Sequence, residues 1–599
     1  MKRLIIRLLV AAASLLGALP LAAANSLADS PSPYLAMHGQ DPVDWHDMRD
    51  TQALQKARRL GRPLFISSGY FACHWCHVMQ RETYSDPEVA RFINEHFVAF
   101  KLDRELDPVI DARLIRFVEY TQGTAGWPLN VVLTPEGYPF YGFTYLPKAR
   151  FLDVMRQLAT LWQDDREEIE RLARGAAEEL DRLTGAAEKP LPHTPRSALK
   201  AAFLKAVRAS ADRFEGGFGN SIKFPSVPQL EALLNLNAER EFLATTLDVM
   251  QQRNLQDHLH GGFFRYSTDP GWHTPHFEKM LYDNAQLARL YLRAGRLLDR
   301  RDWQQTGLRT VEFARRWMRH PRDGYIASLS AVDDQGHEGG FYLWTRAEVE
   351  AALTPRERAV LVRHWDYTAP PEFEEGNLPP RIDPRTPDAA ALGRIYRKLA
   401  EHARAHRKLP QDDKRLIAWN ALMLSALAEC AASDTDCRSD GQALARWLAH
   451  QAGRPEGLPH ALDSQDRPVG TATLEDHALL IAALDDWMRA QPARRKALEP
   501  VRRRLARAAR QRYLRPDGWL ANDHPLLSGD RPRRHFPDTV LPSPTARIYA
   551  RLASAGADGL HSLKDLACTP VAGMQDNPFE HASWISSPEL DQGCGEVKR

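Results

Sequence analysis

Cys73-His74-Trp75-Cys76-His77 is the stretch of this 599-residue chain whose residue types and spacing suit a reaction best. As Cys-x-x-Cys after a strand it is a thiol-disulfide pair, and as Cys-x-x-Cys-His in an exported chain it is also the attachment signature of a c-type haem. A haem would need His77 as axial ligand with a distal His or Met, and would displace the packing of strand on helix. A structural zinc site would need four ligands, and Cys73, His74, Cys76 and His77 lie too close along one turn to close a tetrahedron alone. The redox reading needs only that Cys73 open a helix, where unpaired N–H groups and the positive dipole end favour a thiolate. His74, if protonated, pushes the same way. A redox pair without metal or cofactor is therefore expected, and a vestigial pair without turnover is its bland alternative.

The elements that must position the pair follow from pattern. The run 62–67, Arg-Pro-Leu-Phe-Ile-Ser, reads as a buried strand, so the cysteines fall where a strand gives way to a helix. Asp86-Pro87 reads as N-cap and first helical residue, with Val89, Phe92, Ile93 and Phe97 on one apolar face. Residues 98–103 suggest a second strand, 111–120 a helix, and 129–133 a third strand turned by Thr134-Pro135-Glu136-Gly137. Strand, Cys-x-x-Cys helix, strand, helix, proline and hairpin is the thioredoxin order. In that order Gly126-Trp127-Pro128 holds the place of a cis proline packed against the cysteines.

Asp41-Pro42-Val43-Asp44-Trp45, Cys73 to Met79, and Gly126-Trp127-Pro128-Leu129-Asn130 together resemble thioredoxin-domain proteins related to the mammalian spermatogenesis-associated thioredoxin-like protein. Bacterial members of that family are often classed as a domain of unknown function. The resemblance implies an N-terminal thioredoxin-like domain followed by an (α/α)6 barrel of six helical hairpins.

Composition is that of a globular protein, 43% hydrophobic and 26% charged, and the length implies two to four domains. Lys+Arg 79 against Asp+Glu 77 gives +2, without a block of one sign that would suggest nucleic acid or a membrane surface. Met1-Lys2-Arg3, the apolar run 4–21 and Ala22-Ala23-Ala24 read as a secretory signal peptide, cleaved after Ala24, which leaves no membrane anchor and a periplasmic or secreted protein. Export allows Cys430 with Cys437, and Cys568 with Cys594, to form structural bonds; free buried thiols are the alternative.

The expected domains are a thioredoxin-like unit over 25–187, a proline-rich linker over 188–196 and the barrel over 197–599. Beyond the linker, helical segments alternate with turns such as Gly216-Gly217-Phe218, Gly261-Gly262-Phe263, Gly324-Tyr325 and Gly339-Gly340-Phe341. Their irregular spacing suits helical hairpins whose loops gather at one end. The resemblance continues through His276 to Asn284, Trp344, Asp412-Asp413-Lys414, Trp419-Asn420 and Glu475-Asp476-His477. It weakens near Pro542-Ser543-Pro544, in the last hairpin.

Within the barrel, His276, Glu278, Asp283, Asp413 and Glu475 offer acids and a base, while Trp272, Tyr282, Trp344 and Trp419 offer faces for a sugar. His276, Glu278 and Asp283 are expected to converge at a cavity mouth across a helix start led by Pro275. Hydrogen bonding that merely closes the barrel mouth is the competing reading. Two functions result. One is a periplasmic thiol-disulfide oxidoreductase in which Cys73 attacks a partner's disulfide, Cys76 resolves it, and Trp127-Pro128 positions the substrate. The other is a glycan-binding or glycan-processing barrel with the thioredoxin-like domain as docking or sensing module. Cys73 is expected to be the more exposed thiol, and Ser67 stands where a thioredoxin would have a buried acid.

Overall fold

A computed structural model describes residues 25–523, 531–553 and 560–594, so the expected signal peptide lies outside the described residues. The N-terminal half is built on one sheet with strand order β1-β3-β2-β4-β5: β1 Trp45–Asp47, β2 Leu64–Gly69, β3 Val98–Asp103, β4 Leu129–Leu133 and β5 Pro139–Phe143. β1, β3 and β2 run parallel, and β4 and β5 are antiparallel additions beside β2. β2 and β3 are buried along their whole length, as central strands covered by helices on both faces must be. The helix His74–Met79 leaves the end of β2, and Asp86 caps Pro87–His96 by accepting from the backbone N–H groups of Glu88 and Val89 at 2.9 and 3.1 Å. The expected helix over 111–120 runs longer, as Pro108–Gln122, because proline fits its first turn.

The C-terminal half is a ring of helices. Val227–Leu236, Leu281–Leu297, Ile417–Cys430, Leu474–Ala490, Pro544–Ala553 and Ala582–Ile585 pack each against the next, and the last returns to the first. Each has an outer partner: Arg240–Gln252, Arg301–Phe313, Thr435–Gln451, Arg495–Tyr513, Leu560–Cys568 and Arg196–Ser210 respectively. That is the (α/α)6 toroid. Ile417–Cys430 is apolar on nearly every side because an inner helix meets neighbours all round. Residues 346–406 form an insertion that shares a second, small core with the barrel turns at Phe264, Phe277, Ala331 and 341–344.

The glycine–aromatic turns gather at one end of the ring, held by inner-helix side chains. Asn284 accepts from the Phe263 N–H at 2.8 Å and donates to its carbonyl at 3.1 Å. Asn420 does the same for Tyr325, at 2.8 and 3.0 Å. Gly262 has a φ of 73°, and a Cβ there would run into the Phe313 ring. Short strands stitch this end together, including Gln411–Asp412, Ser328–Leu329 and Lys279–Met280 in one three-stranded sheet. Pro275-His276 lies in such a strand and the helix starts only at Leu281, so the expected Pro275-led helix start is corrected. The linker segment is not free: Leu191 N–H donates to the Pro570 carbonyl at 2.8 Å, and Ala572 N–H to that of Lys189 at 2.9 Å.

Candidate functional site between the two halves

Cys73 is the N-cap of the helix His74–Met79, and its sulfur accepts the Cys76 N–H at 3.2 Å. The two cysteines are joined in a disulfide, and Trp127-Pro128 is a cis bond, as the motif order implies. Cys73 is the more exposed of the two cysteines, as expected, but both are buried. It is 3% exposed and Cys76 is 1% exposed, because the turn end of the barrel sits on this face. Ala331 of the barrel donates its N–H to the carbonyl of Ala72 at 3.2 Å, directly before Cys73.

The seam continues on both sides of that bond. The Tyr70 hydroxyl bonds both carboxylate oxygens of Glu278 at 3.0 and 2.8 Å, and Arg265 Nη1 reaches Glu278 Oε2 at 3.0 Å and also the Tyr70 hydroxyl. His460 Nε2 meets the Glu105 carbonyl at 2.8 Å, while its Nδ1 pairs with Asp476 at 2.7 Å. Burial opposes charge on His460, yet Asp476 and that carbonyl hold its pKa up at about 9. Lys414 Nζ lies 2.7 Å from Glu105 and 3.2 Å from Asp103 of the sheet half, and also bonds Asp412. Burial pushes the Asp412 carboxyl up to about 7.

His74 faces the barrel, with Nε2 3.5 Å from Glu338 and its ring 6.0 Å from that of His276. Burial, followed by His276 and Arg81, brings its pKa down to about 4, so it is neutral near pH 7 and adds no positive charge beside Cys73. His77 Nε2 is bonded to the Phe71 carbonyl at 2.7 Å. His276 stacks on Tyr266 at 4.9 Å and lies 3.6 Å from Glu338 and 3.5 Å from Glu278.

Trp127 donates to Asp111 at 3.0 Å, with Arg104 over its ring at 4.0 Å and Tyr70 edge-on at 5.9 Å. Behind it, between the helix Pro108–Gln122 and the barrel mouth, is a cavity of about 420 Å³. Trp127, Arg104, Tyr282, Trp419, His460 and Glu475 are among its walls. Tyr282 and Trp419 meet edge to face at 4.7 Å. Burial, with Asp476 nearby, pushes the Glu475 carboxyl up to about 7. Burial likewise pushes Asp283 up to about 8 against the pull of Arg265, and its Oδ2 has no hydrogen-bond partner among the described residues.

The structure thus brings together Cys73, Cys76, His74, Trp127, Pro128, His276 and Glu278 along one seam, with Trp419 and Glu475 in the adjoining cavity and Asp283 close behind. It leaves others out. Trp344 is buried in the small core that the insertion shares with the barrel turns, beneath Arg407 at 4.3 Å. Asp413 is half-buried with its charge acting on His320, and its neighbour Asp412 takes the buried position. Trp272 is wholly buried and donates to the Glu215 carbonyl at 2.9 Å, so it offers no face to a ligand. Tyr70, Arg104, Arg265, Glu338 and His460 were not readable as site residues; the only local signal is that Tyr70 and Arg104 directly follow two strand ends that point at the cysteines.

Residues 24–181 match the family model Thioredox_DsbH, described as "Protein of unknown function, DUF255". Over 464 residues the chain is 31% identical to human spermatogenesis-associated protein 20, covering 67% of this chain. It spans 58% of the length of that relative. Among solved structures, a thioredoxin from Thermus thermophilus is 22% identical over 20% of this chain and 89% of its own, with a TM-score of 0.17. Cellobiose 2-epimerase from Spirochaeta thermophila is 15% identical over 60% of this chain and 94% of its own, with a TM-score of 0.28. Likenesses this faint add nothing to the helix ring traced above. By its N-terminal domain and by sequence identity that extends well into the barrel, the chain belongs to the thioredoxin-domain family of spermatogenesis-associated protein 20.

Proposed function

We propose that the chain is a thiol-disulfide oxidoreductase, acting after export, whose redox pair works at the seam between its two halves. The observation that carries the reading is Cys73 as N-cap with its sulfur already accepting the Cys76 N–H, the geometry that favours a thiolate at Cys73 once the bond is reduced. In the reduced state Cys73 would attack a substrate disulfide, forming one S–S bond while the substrate's breaks, and Cys76 would displace the substrate's second thiol. Burial under the barrel restricts the partner: a rigid folded surface cannot meet the sulfur unless the seam parts, whereas a small disulfide or an extended segment needs less opening. Reduction of insulin and of a small disulfide by a dithiol, with wild type and Cys73→Ser, tests this. Turnover that is lost in Cys73→Ser and is faster for the small disulfide supports the reading, and equal rates for both proteins refute it.

A second reading is favoured by one observation, the cavity lined by Trp419, Tyr282 and Trp127 together with Glu475, whose carboxyl is pushed up to about 7 by burial. Flat aromatic faces beside a proton-bearing acid suit a sugar ring. Glycan-array binding by wild type that is lost in Glu475→Gln at unchanged Tm would support it, and absence of binding would end it.

A further inference from the structure

Cys76 is the sulfur that must leave when the disulfide opens, and no carboxylate stands where a thioredoxin would have one. Ser67 fills that position, with its hydroxyl engaged by Lys101 Nζ and the Tyr84 hydroxyl, each at 3.0 Å. A different group faces Cys76. Tyr34, in the short helix Pro33–Met37, is 0% exposed, and its hydroxyl has no hydrogen-bond partner among the described residues. A Cβ on Gly69 would meet both the Tyr34 hydroxyl and the Cys76 sulfur, so the missing side chain at Gly69 leaves those two atoms facing one another across a small gap. The position is fixed from below: Ser32 accepts the Leu35 N–H at 3.2 Å and donates to Asp103 at 2.6 Å. Lys101 lies over the Tyr34 ring at 5.6 Å.

A wholly buried hydroxyl without a partner is costly and calls for an explanation. We propose that Tyr34 is a positioning residue whose hydroxyl donates a hydrogen bond to Cys76 once its sulfur leaves as a thiolate. This rests on the oxidoreductase reading. Burial, with Tyr84 and Asp103 nearby, holds the Tyr34 phenol well above its usual pKa, so it keeps its proton and acts as a donor. A dithiol thiolate attacks Cys73 Sγ; the dithiol–Cys73 bond forms, the Cys73–Cys76 bond breaks, and the electron pair leaves on Cys76 Sγ facing Tyr34. The second thiol of the dithiol then displaces Cys73, giving a cyclic disulfide; the dithiol's two protons end on the cysteine pair, and the Tyr34 hydroxyl goes on donating to Cys76 Sγ in the reduced state, which is what the equilibrium reads.

The full chain, wild type and Tyr34→Phe, is equilibrated with dithiothreitol at fixed ratios of reduced to oxidised reagent, and the Cys73–Cys76 thiols are counted by alkylation. The equilibrium constant for reduction should fall about tenfold in Tyr34→Phe. The Tm of the oxidised variant should equal or exceed that of wild type, since an orphan hydroxyl has gone, whereas that of the reduced variant should drop. An unchanged constant, or the same Tm shift in both states, overturns the proposal while leaving the oxidoreductase reading intact. Failure of the wild-type pair to exchange with the dithiol overturns both. Should Tyr34→Phe not fold, Tyr34→Met, which also lacks the hydroxyl and leaves Gly69 and the sulfur untouched, must lower the constant in the same direction; no change there also overturns it.

Discussion

The Tyr70 hydroxyl, three residues before Cys73, bonds both oxygens of Glu278 on the barrel, 208 positions away in the chain. The residue that reads from sequence as a barrel acid is thus a fastener of the redox face. Glu278 is 2% exposed and also pairs with Arg265, so Glu278→Gln removes a charge and leaves a buried guanidinium without its counterion. A stability loss of about 2–4 kcal/mol is expected in denaturant titration. A loss below 0.5 kcal/mol would show that the seam does not depend on this contact.

Loosening the same seam should expose the cysteines. In the reduced full chain, alkylation of Cys73 near neutral pH should be slow because the barrel covers it, and Glu278→Gln should speed it several-fold. Equal labelling rates in both proteins would mean that the barrel does not shield the pair.

Asp283 gives the molecule a defined pH dependence. Its folded-state pKa of about 8 lies above that of an unfolded aspartate, so the folded protein holds the proton more tightly. The stability this contributes is complete below about pH 4 and is lost as pH rises through about 8, on the order of 5 kcal/mol. Relative to wild type, Asp283→Asn should therefore gain stability at pH 8 over pH 5. A constant difference between the two proteins across that range would contradict the assignment.

Cys430–Cys437 and Cys568–Cys594 are bonded, as the pairing by position suggested. The first joins the inner helix Ile417–Cys430 to its outer partner across a short loop. Replacing both its cysteines with serine should cost about 2–3 kcal/mol. Unaltered stability in chemical denaturation would show that helix packing alone sets the hairpin.

Much of the thioredoxin-like half was legible because its signals are local: an apolar run, Cys-x-x-Cys, Asp86-Pro87, Trp127-Pro128. The barrel was legible as a class through its glycine–aromatic turns, whose partners Asn284 and Asn420 lie on the helices that the motifs mark. What could not be read is that the two candidate sites are one place. Tyr70 with Glu278, and Glu105 with His460, are pairs that no periodicity connects. Asp412 and Asp413 are adjacent and chemically identical, and only the local backbone decides which one enters the buried cluster around Lys414. Trp344 belongs to the small core shared with the insertion, which sequence spacing did not separate from the ring.

The most direct test of the account is the order in which the three disulfides open. Cys430–Cys437 is buried, whereas Cys568 and Cys594 are each only half-buried, so access alone would open Cys568–Cys594 first. Graded dithiothreitol on the native full chain, with alkylation and peptide mapping, reads the order. A redox pair at a helix start should make Cys73–Cys76 the first to yield two thiols, despite its cover, with the other bonds still closed. Cys568–Cys594 opening first while Cys73–Cys76 stays intact would contradict the redox reading.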